Sequence, residues 1–319
     1  MMRKVYFRAD ASTQIGYGHF IRTLALADML KDDFECVFFT AEPTDYQRSE
    51  VKRVCALEEL PADESKFSLF LNRLKGDEIV FLDNYFYTPE YEKAIKKKGC
   101  KLIAFAPCKT CHYADVIINY IDNDRSHYDI DSSTQLVAGL EWSILREPFR
   151  RPINHGRRQE GSIVVSFGGT DQYSLTEKVV DTIGTSKHFI SVICTDRVSA
   201  ERRIALRNKG VEVYTNISAE MVADIFECSE FAILSSSSVC LEALSRGTKV
   251  LAGYYVDNQV AFYHTLLNGQ YIIGLGDLLS NNCFCSLDFK LNDASNRIDI
   301  PIDFTKQKEL YTSLFKSIC

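Results

Sequence analysis

Residues 4–30 read KVYFRADASTQIGYGHFIRTLALADML. A short strand-like run, Lys4–Phe7, gives way to small and polar residues with two glycines. A helical pattern follows over His19–Leu30, with apolar residues at Phe20, Leu24, Ala27 and Leu30, near the 3.6-residue period. Strand, loop and helix in that order open a βα unit. The alternation continues outward from it: strands are expected at Glu35–Thr40, Glu78–Leu82, Lys101–Phe105 and Val116–Asn119. Tyr91–Lys98 reads as a helix, because its closing lysines and Gly99 suit a C-terminus.

The pattern stops at residues 146–160, REPFRRPINHGRRQE, where two prolines, a glycine and five arginines replace apolar periodicity. This stretch reads as an interdomain linker whose arginines are solvated. The alternation then restarts, with strands expected at Ser162–Phe167, His188–Cys194, Val211–Tyr214, Phe231–Leu234 and Lys249–Tyr254 and a helix at Val239–Arg246. Two successive βα series imply an α/β chain with a parallel sheet and right-handed crossovers in each half. The expected division is an N-terminal domain at 1–147, a linker at 148–161, a second domain at 162–290 and a tail at 291–319. That tail ends in a closing helix at Phe304–Ile318.

Length agrees, since 319 residues exceed what one hydrophobic core usually serves. With 37 basic and 43 acidic residues, the net charge of −6 creates no field to recruit nucleic acid or an anionic membrane. Eleven cysteines, odd in number and scattered, do not form a disulfide framework. No apolar run approaches a membrane span or a signal peptide. The expectation is a cytoplasmic chain of reduced thiols, able to work as a monomer.

Ligands of parallel sheets bind beyond the carboxyl ends of the strands. The first such loop, Arg8–His19, carries Asp10, Gly16 and Gly18 and delivers His19 to the first turn of a helix, with Arg22 one turn on. Glycines admit close backbone approach, and a helix N-terminus favours anions over an imidazolium. His19 is therefore expected neutral and available as a general base. A dinucleotide site is excluded, because the tight turn is missing and Ile21 stands where the third glycine belongs. In the second half, Gly168-Gly169-Thr170-Asp171 follows a strand and forms a candidate anion nest. Ser235-Ser236-Ser237-Ser238 opens a helix, Glu242 lies one turn inside it, and Asp257-Asn258-Gln259 follows the next strand. Together these pieces describe a pocket for a nucleoside diphosphate. Cys108-Lys109-Thr110-Cys111-His112 matches the c-type haem attachment pattern, but haem attachment requires export, so these read as ordinary thiols.

RADASTQIGYGHFIR at 8–22, FGGTD at 167–171 and SSSSVCLEALSRGTKVLAGYYVDNQ at 235–259 together resemble the UDP-2,4-diacetamido-2,4,6-trideoxy-β-L-altropyranose hydrolases of pseudaminic acid biosynthesis. The likeness spreads over about residues 1–275. It implies the two-domain GT-B fold, akin to the MurG transferases, with two Rossmann-like domains whose parallel sheets face a central cleft. It also implies an inverting, metal-independent, cofactor-free hydrolysis of the anomeric C–O bond of a UDP-amino sugar. In that resemblance His19 is the base that activates water, and Asn258 and Tyr85 act at the sugar. Asp10, Gly16, Gly18, Arg22, Asp83 and Gln259 bind substrate, Glu242 takes the ribose, and Gly168, Gly169, Thr170, Ser236, Ser237 and Ser238 hold the diphosphate. The chain departs from the family at Phe105-Ala106-Pro107, where an acidic pair is usual, and at Asn84, where some relatives have histidine. His112 and Asp115 still fit. The rival readings are a GT-B glycosyltransferase using the same donor pocket and a non-catalytic UDP-sugar-binding protein.

Overall fold

The computed structural model describes residues 2–12, 16–84, 86–106, 110–168, 170–293 and 302–319. They form two compact units, Met1–Arg150 with Asp303–Cys319, and Arg151–Ile302.

The first unit carries strands β1 (Lys4–Arg8), β2 (Glu35–Ala41), β3 (Ala56–Leu60), β4 (Ile79–Leu82), β5 (Lys101–Phe105), β6 (Cys111–His112), β7 (Val116–Asn119), β8 (Asp129–Ile130) and β9 (Gln135–Ala138). Its helices are α1 (Gly18–Leu30), α2 (Asp45–Lys52), α3 (Ser65–Arg73) and α4 (Pro89–Lys97). Seven strands pair in the order β3-β2-β1-β4-β5-β7-β9, while β6 and β8 form a separate ribbon. Every pairing in the large sheet is parallel. Its strands read as continuous apolar runs because both faces are covered. Val5, Phe7, Ile79 and Phe81 enter one core cluster, and their alternating neighbours Tyr6, Val80 and Leu82 enter another on the opposite face.

The second unit holds β10 (Gln159–Ser166), α5 (Leu175–Ile183), β11 (Phe189–Cys194), α6 (Ala200–Asn208), β12 (Glu212–Thr215) and α7 (Ala219–Cys228). It continues with β13 (Ser229–Ser235), α8 (Ser238–Ser245), β14 (Lys249–Tyr254), α9 (Asp257–Asn268), β15 (Ile273–Asp277) and α10 (Leu287–Asn292). Its six parallel strands run β12-β11-β10-β13-β14-β15. In both sheets the order reverses beside the unit's first strand, between β1 and β4 and between β10 and β13. Those are the switch points where crevices open in doubly wound sheets. Among the described residues, no helix is long and apolar enough to cross a membrane.

Two expectations change. The closing helix is present as α11 (Gln307–Ser317), but it is part of the first unit and not a separate tail. Phe315 is fully buried and meets Phe34 edge-on at 6.1 Å. Tyr311 donates to the Trp142 carbonyl, and the fully buried Gln307 bonds Ser143 and the Leu145 amide. Replacing Phe315 with alanine should therefore cost about 3–5 kcal/mol, read as a lower denaturant midpoint for the first unit.

The linker arginines are solvated only in part: Arg151 and Arg157 are exposed, whereas Arg146, Arg150 and Arg158 are half-buried. Arg150 pairs with Asp28 at 3.5 Å, and Arg157 with Asp224 at 2.6 Å. Arg158 donates to the carbonyls of Arg246 and Gly247 at the end of α8. A helix C-terminus leaves such acceptors unfilled, and a nearby guanidinium takes them.

Candidate functional site

At the first switch point, β1 and β4 run side by side with Arg8 opposite Leu82, so the residues that leave both strands meet. The Asp83 amide donates to the Arg8 carbonyl at 3.2 Å. Asn84 accepts from the Asp10 amide at 2.6 Å and returns a bond to the Asp10 carbonyl at 3.2 Å. The exit of β4 is thus fastened to the loop that leads into α1. Gly16 in that loop has φ +84°, a conformation that other residues seldom adopt.

The fastening delivers Asp83 beneath α1. Its carboxylate is fully buried and takes four contacts from one helix face. His19 Nδ1 lies 2.7 Å from Oδ1, Arg22 Nε and Nη2 donate at 2.5 Å each, and Thr23 Oγ1 donates at 3.1 Å. Residues 19, 22 and 23 share that face because they are three and four positions apart. Burial alone would raise the Asp83 carboxyl, but the Arg22 guanidinium and the His19 bond hold it below the usual carboxylate range. An ionised carboxylate only accepts, so His19 Nδ1 carries the hydrogen of that bond, which in the neutral imidazole leaves the lone pair on Nε2. Arg22 Nη2 also lies 2.9 Å from Nδ1; its donation goes to Asp83, since Nδ1 has no lone pair in that tautomer. The Arg22 guanidinium lies over the Phe105 ring, 4.1 Å from its centroid. A base oriented by a buried carboxylate is equipped to take a proton at Nε2.

Some expected site residues also have structural partners. Asp10 is buried, and its carboxylate takes the buried Arg8, Lys66 at 3.3 Å and the Ala41 amide at 2.8 Å. Asp83 holds the histidine and Arg22, where the sequence suggested a sugar contact. Gly18 is exposed at the start of α1. Tyr85 and Gly169 lie outside the described residues, as does Cys108 of the haem-like pattern. His112 of that pattern bonds Glu92 at 2.8 Å.

At the second switch point, Gly168 leaves β10 with φ +90°. A Cβ there would come within 3.5 Å of the Tyr255 hydroxyl, which itself donates to the Phe167 carbonyl at 3.0 Å. Gly168 and Thr170 are exposed. Asp171 anchors the loop by accepting from the Leu175 and Thr176 amides and from Arg202. Next along the sheet, β13 ends at Ser235 and feeds α8. The Ser236 hydroxyl is buried without a partner. Ser237 is the N-cap yet gives no side-chain cap, and α9 on the adjoining strand has none either. Two uncapped helix N-termini, an exposed glycine turn and an unpartnered buried hydroxyl together suit an anion. Glu242 is half-buried inside α8, Asn258 is exposed in the first turn of α9, and Gln259 accepts from the Tyr255 amide at 3.0 Å. Among the described residues, no group of three or more His, Cys, Asp or Glu is placed to hold a metal ion. Removing the unpaired hydroxyl by Ser236→Ala should leave the unliganded protein as stable or about 1 kcal/mol more so, measured by chemical denaturation.

No protein-family model matches the chain. Over 267 residues it is 27% identical to the UDP-2,4-diacetamido-2,4,6-trideoxy-β-L-altropyranose hydrolase of Campylobacter jejuni, covering 80% of this chain and 93% of that enzyme. The chain is a distant homologue of that hydrolase. It is also 26% identical over 286 residues to the Methanocaldococcus jannaschii protein MJ1062, covering 83% of this chain and 58% of that protein. Among solved structures it superposes on Acinetobacter baumannii MurG with a TM-score of 0.67 at 10% identity, over 99% of both chains. Anabaena HepE in complex with UDP-glucose gives 0.62 at 8%, over 99% of this chain and 96% of that one. Staphylococcus aureus MnaA in its UDP co-structure gives 0.65 at 10%, over 100% and 98%. At such identities the likeness establishes the fold, which is GT-B and MurG-like.

Proposed function

We propose that the protein hydrolyses a UDP-linked 2,4-diacetamido-2,4,6-trideoxy-hexose at the anomeric C–O bond, releasing UDP and the free sugar. The observation that carries this reading is the His19–Asp83–Arg22 constellation at the first switch point. Oriented by a buried carboxylate at the carboxyl end of the sheet, His19 is equipped to serve as a base, a role that binding alone does not use. In the proposed step His19 Nε2 takes a proton from water as its oxygen bonds the anomeric carbon. The C–O bond breaks on the opposite face, and its electron pair leaves with UDP. One displacement inverts the anomeric configuration. Asn258 and Tyr85 act at the sugar, and Glu242 takes the ribose. Gly168, Gly169, Thr170 and Ser236–Ser238 meet the diphosphate, whose developing charge is stabilised by amides and helix ends. No metal or cofactor is required in this scheme.

The test is UDP release from UDP-linked diacetamido-trideoxy-hexoses with no acceptor present. Release that persists in EDTA is expected, and a loss that added metal restores would contradict the metal-free scheme. Ser236→Ala should weaken UDP binding about five-fold, the worth of one ordinary hydrogen bond, by calorimetry. Unchanged affinity would remove Ser236 from the diphosphate site. The transferase reading draws on the fold shared with MurG and predicts release only when an acceptor is supplied.

A further inference from the structure

Beside the His19–Asp83 pair the first unit has a second buried histidine–carboxylate pair that the scheme above leaves unused. His112 and Glu92 are both more than nine-tenths buried. His112 Nδ1 lies 2.8 Å from Glu92 Oε1, and the other Glu92 oxygen takes the Tyr113 amide at 2.6 Å. Thr110 Oγ1 lies 3.0 Å from His112 Nε2. The pair borders a cavity of about 60 Å³ at the exits of β4 and β5. Both side chains are nearly buried yet reach the cavity wall, so the pair is placed to read a group that enters it.

Size and lining narrow that occupant. Of such volume one water needs only about 10–15 Å³, so the space admits a few waters or one group of a few heavy atoms. Tyr87 and Phe105 give it an apolar side, while Asn84, Thr110 and His112 give it a polar one. A carboxylate would be repelled by Glu92, whose two oxygens face His112 and the Tyr113 amide. A neutral group with a methyl at one end and an amide at the other matches both sides. The cavity shares neighbours with the candidate base: Asn84 follows Asp83, and Phe105 lines the cavity while its ring carries Arg22.

We propose that this cavity takes an acetamido group of the sugar, read by Asn84 and by the Thr110–His112–Glu92 chain. The proposal rests on the hydrolase reading above and makes Thr110 and His112 determinants of N-acetyl specificity.

The probe is the free 2,4-diacetamido-2,4,6-trideoxy-hexose, titrated into the full chain labelled with nitrogen-15 histidine. There are six histidines, so the His112 signal is assigned with H112Q and the His19 signal with H19Q. The expected result is a saturable shift of His112 that is missing when hydroxyls replace both acetamido groups. Thr110→Val should weaken the titration about five-fold, as loss of one hydrogen bond would. An equal response to the hydroxyl sugar would overturn the proposal, as would a His19 shift without a His112 shift. UDP release from the nucleotide sugar with a silent His112 removes the acetamido pocket alone. Silence at both histidines together with no UDP release removes the hydrolase reading as well.

Discussion

His19→Ala is expected to lower kcat for UDP release by about 10³-fold, within the range ascribed to a positioned general base, and to leave UDP affinity unchanged. The reasoning starts from the Asp83 bond. With Nδ1 donating at 2.7 Å to an ionised carboxylate, the imidazole is fixed in orientation and tautomer before substrate arrives. Alanine removes the proton acceptor but none of the groups assigned to the diphosphate, which all belong to the second unit. Steady-state kinetics alongside calorimetry with UDP separates the two effects. Turnover within a few-fold of the parent would remove His19 from the mechanism.

Asp83→Asn should cost as much turnover and a good deal of stability. The carboxamide can turn its NH₂ toward His19 Nδ1, which draws the hydrogen to Nε2 and abolishes the base. A comparable change in a catalytic triad lowers kcat by about 10⁴-fold, and a loss of about 10³-fold or more is expected here. Arg22 meanwhile loses its buried anion, and breaking such a pair costs roughly 3–5 kcal/mol. The pH dependence has a definite sign. The folded Asp83 carboxyl sits below its ordinary value because Arg22 and His19 outweigh burial. Its contribution to stability is therefore complete above the unfolded value near 4 and is lost as pH falls through the lower folded value. Acid denaturation monitored by circular dichroism should show that part of the acid sensitivity missing in Asp83→Asn. Parallel acid-unfolding curves for the two proteins would contradict the assignment.

Most strands that were plain in the sequence, Lys4–Phe7, Lys101–Phe105 and Lys249–Tyr254 among them, lie inside the sheets; β12 at an edge is the exception. Those missed in the two large sheets are β3, β9 and β15, and each ends a sheet; the two-residue β6 and β8 of the small ribbon were missed as well. An edge strand with a wet side shows no continuous apolar run. Ala56–Leu60 contains Glu58 and Glu59, whose carboxylates pair outward with Arg73 and Arg48. Ile273–Asp277 carries two glycines and a register shift against β14, which hides its alternation.

The candidate base was legible because glycines, histidine and arginine crowd one loop after one strand. Its partner was not, since Asp83 is 64 residues away in sequence and meets His19 only through the β1–β4 pairing. A charged residue directly after the buried run Ile79–Leu82, on a strand next to the first, was the available signal. Phe105 was visible only as a departure from the related hydrolases, and its contact with Arg22 needs coordinates. The same holds for Asp10, whose short side chain after a strand resembles a ligand contact yet closes onto buried Arg8.

The most direct test is to run the reaction in water enriched in oxygen-18 with no acceptor and to locate the label. Attack at the anomeric carbon places it on C1 of a free sugar of inverted configuration and leaves UDP unlabelled. Label in the phosphate of UDP, or no free sugar until an acceptor is added, would contradict the account.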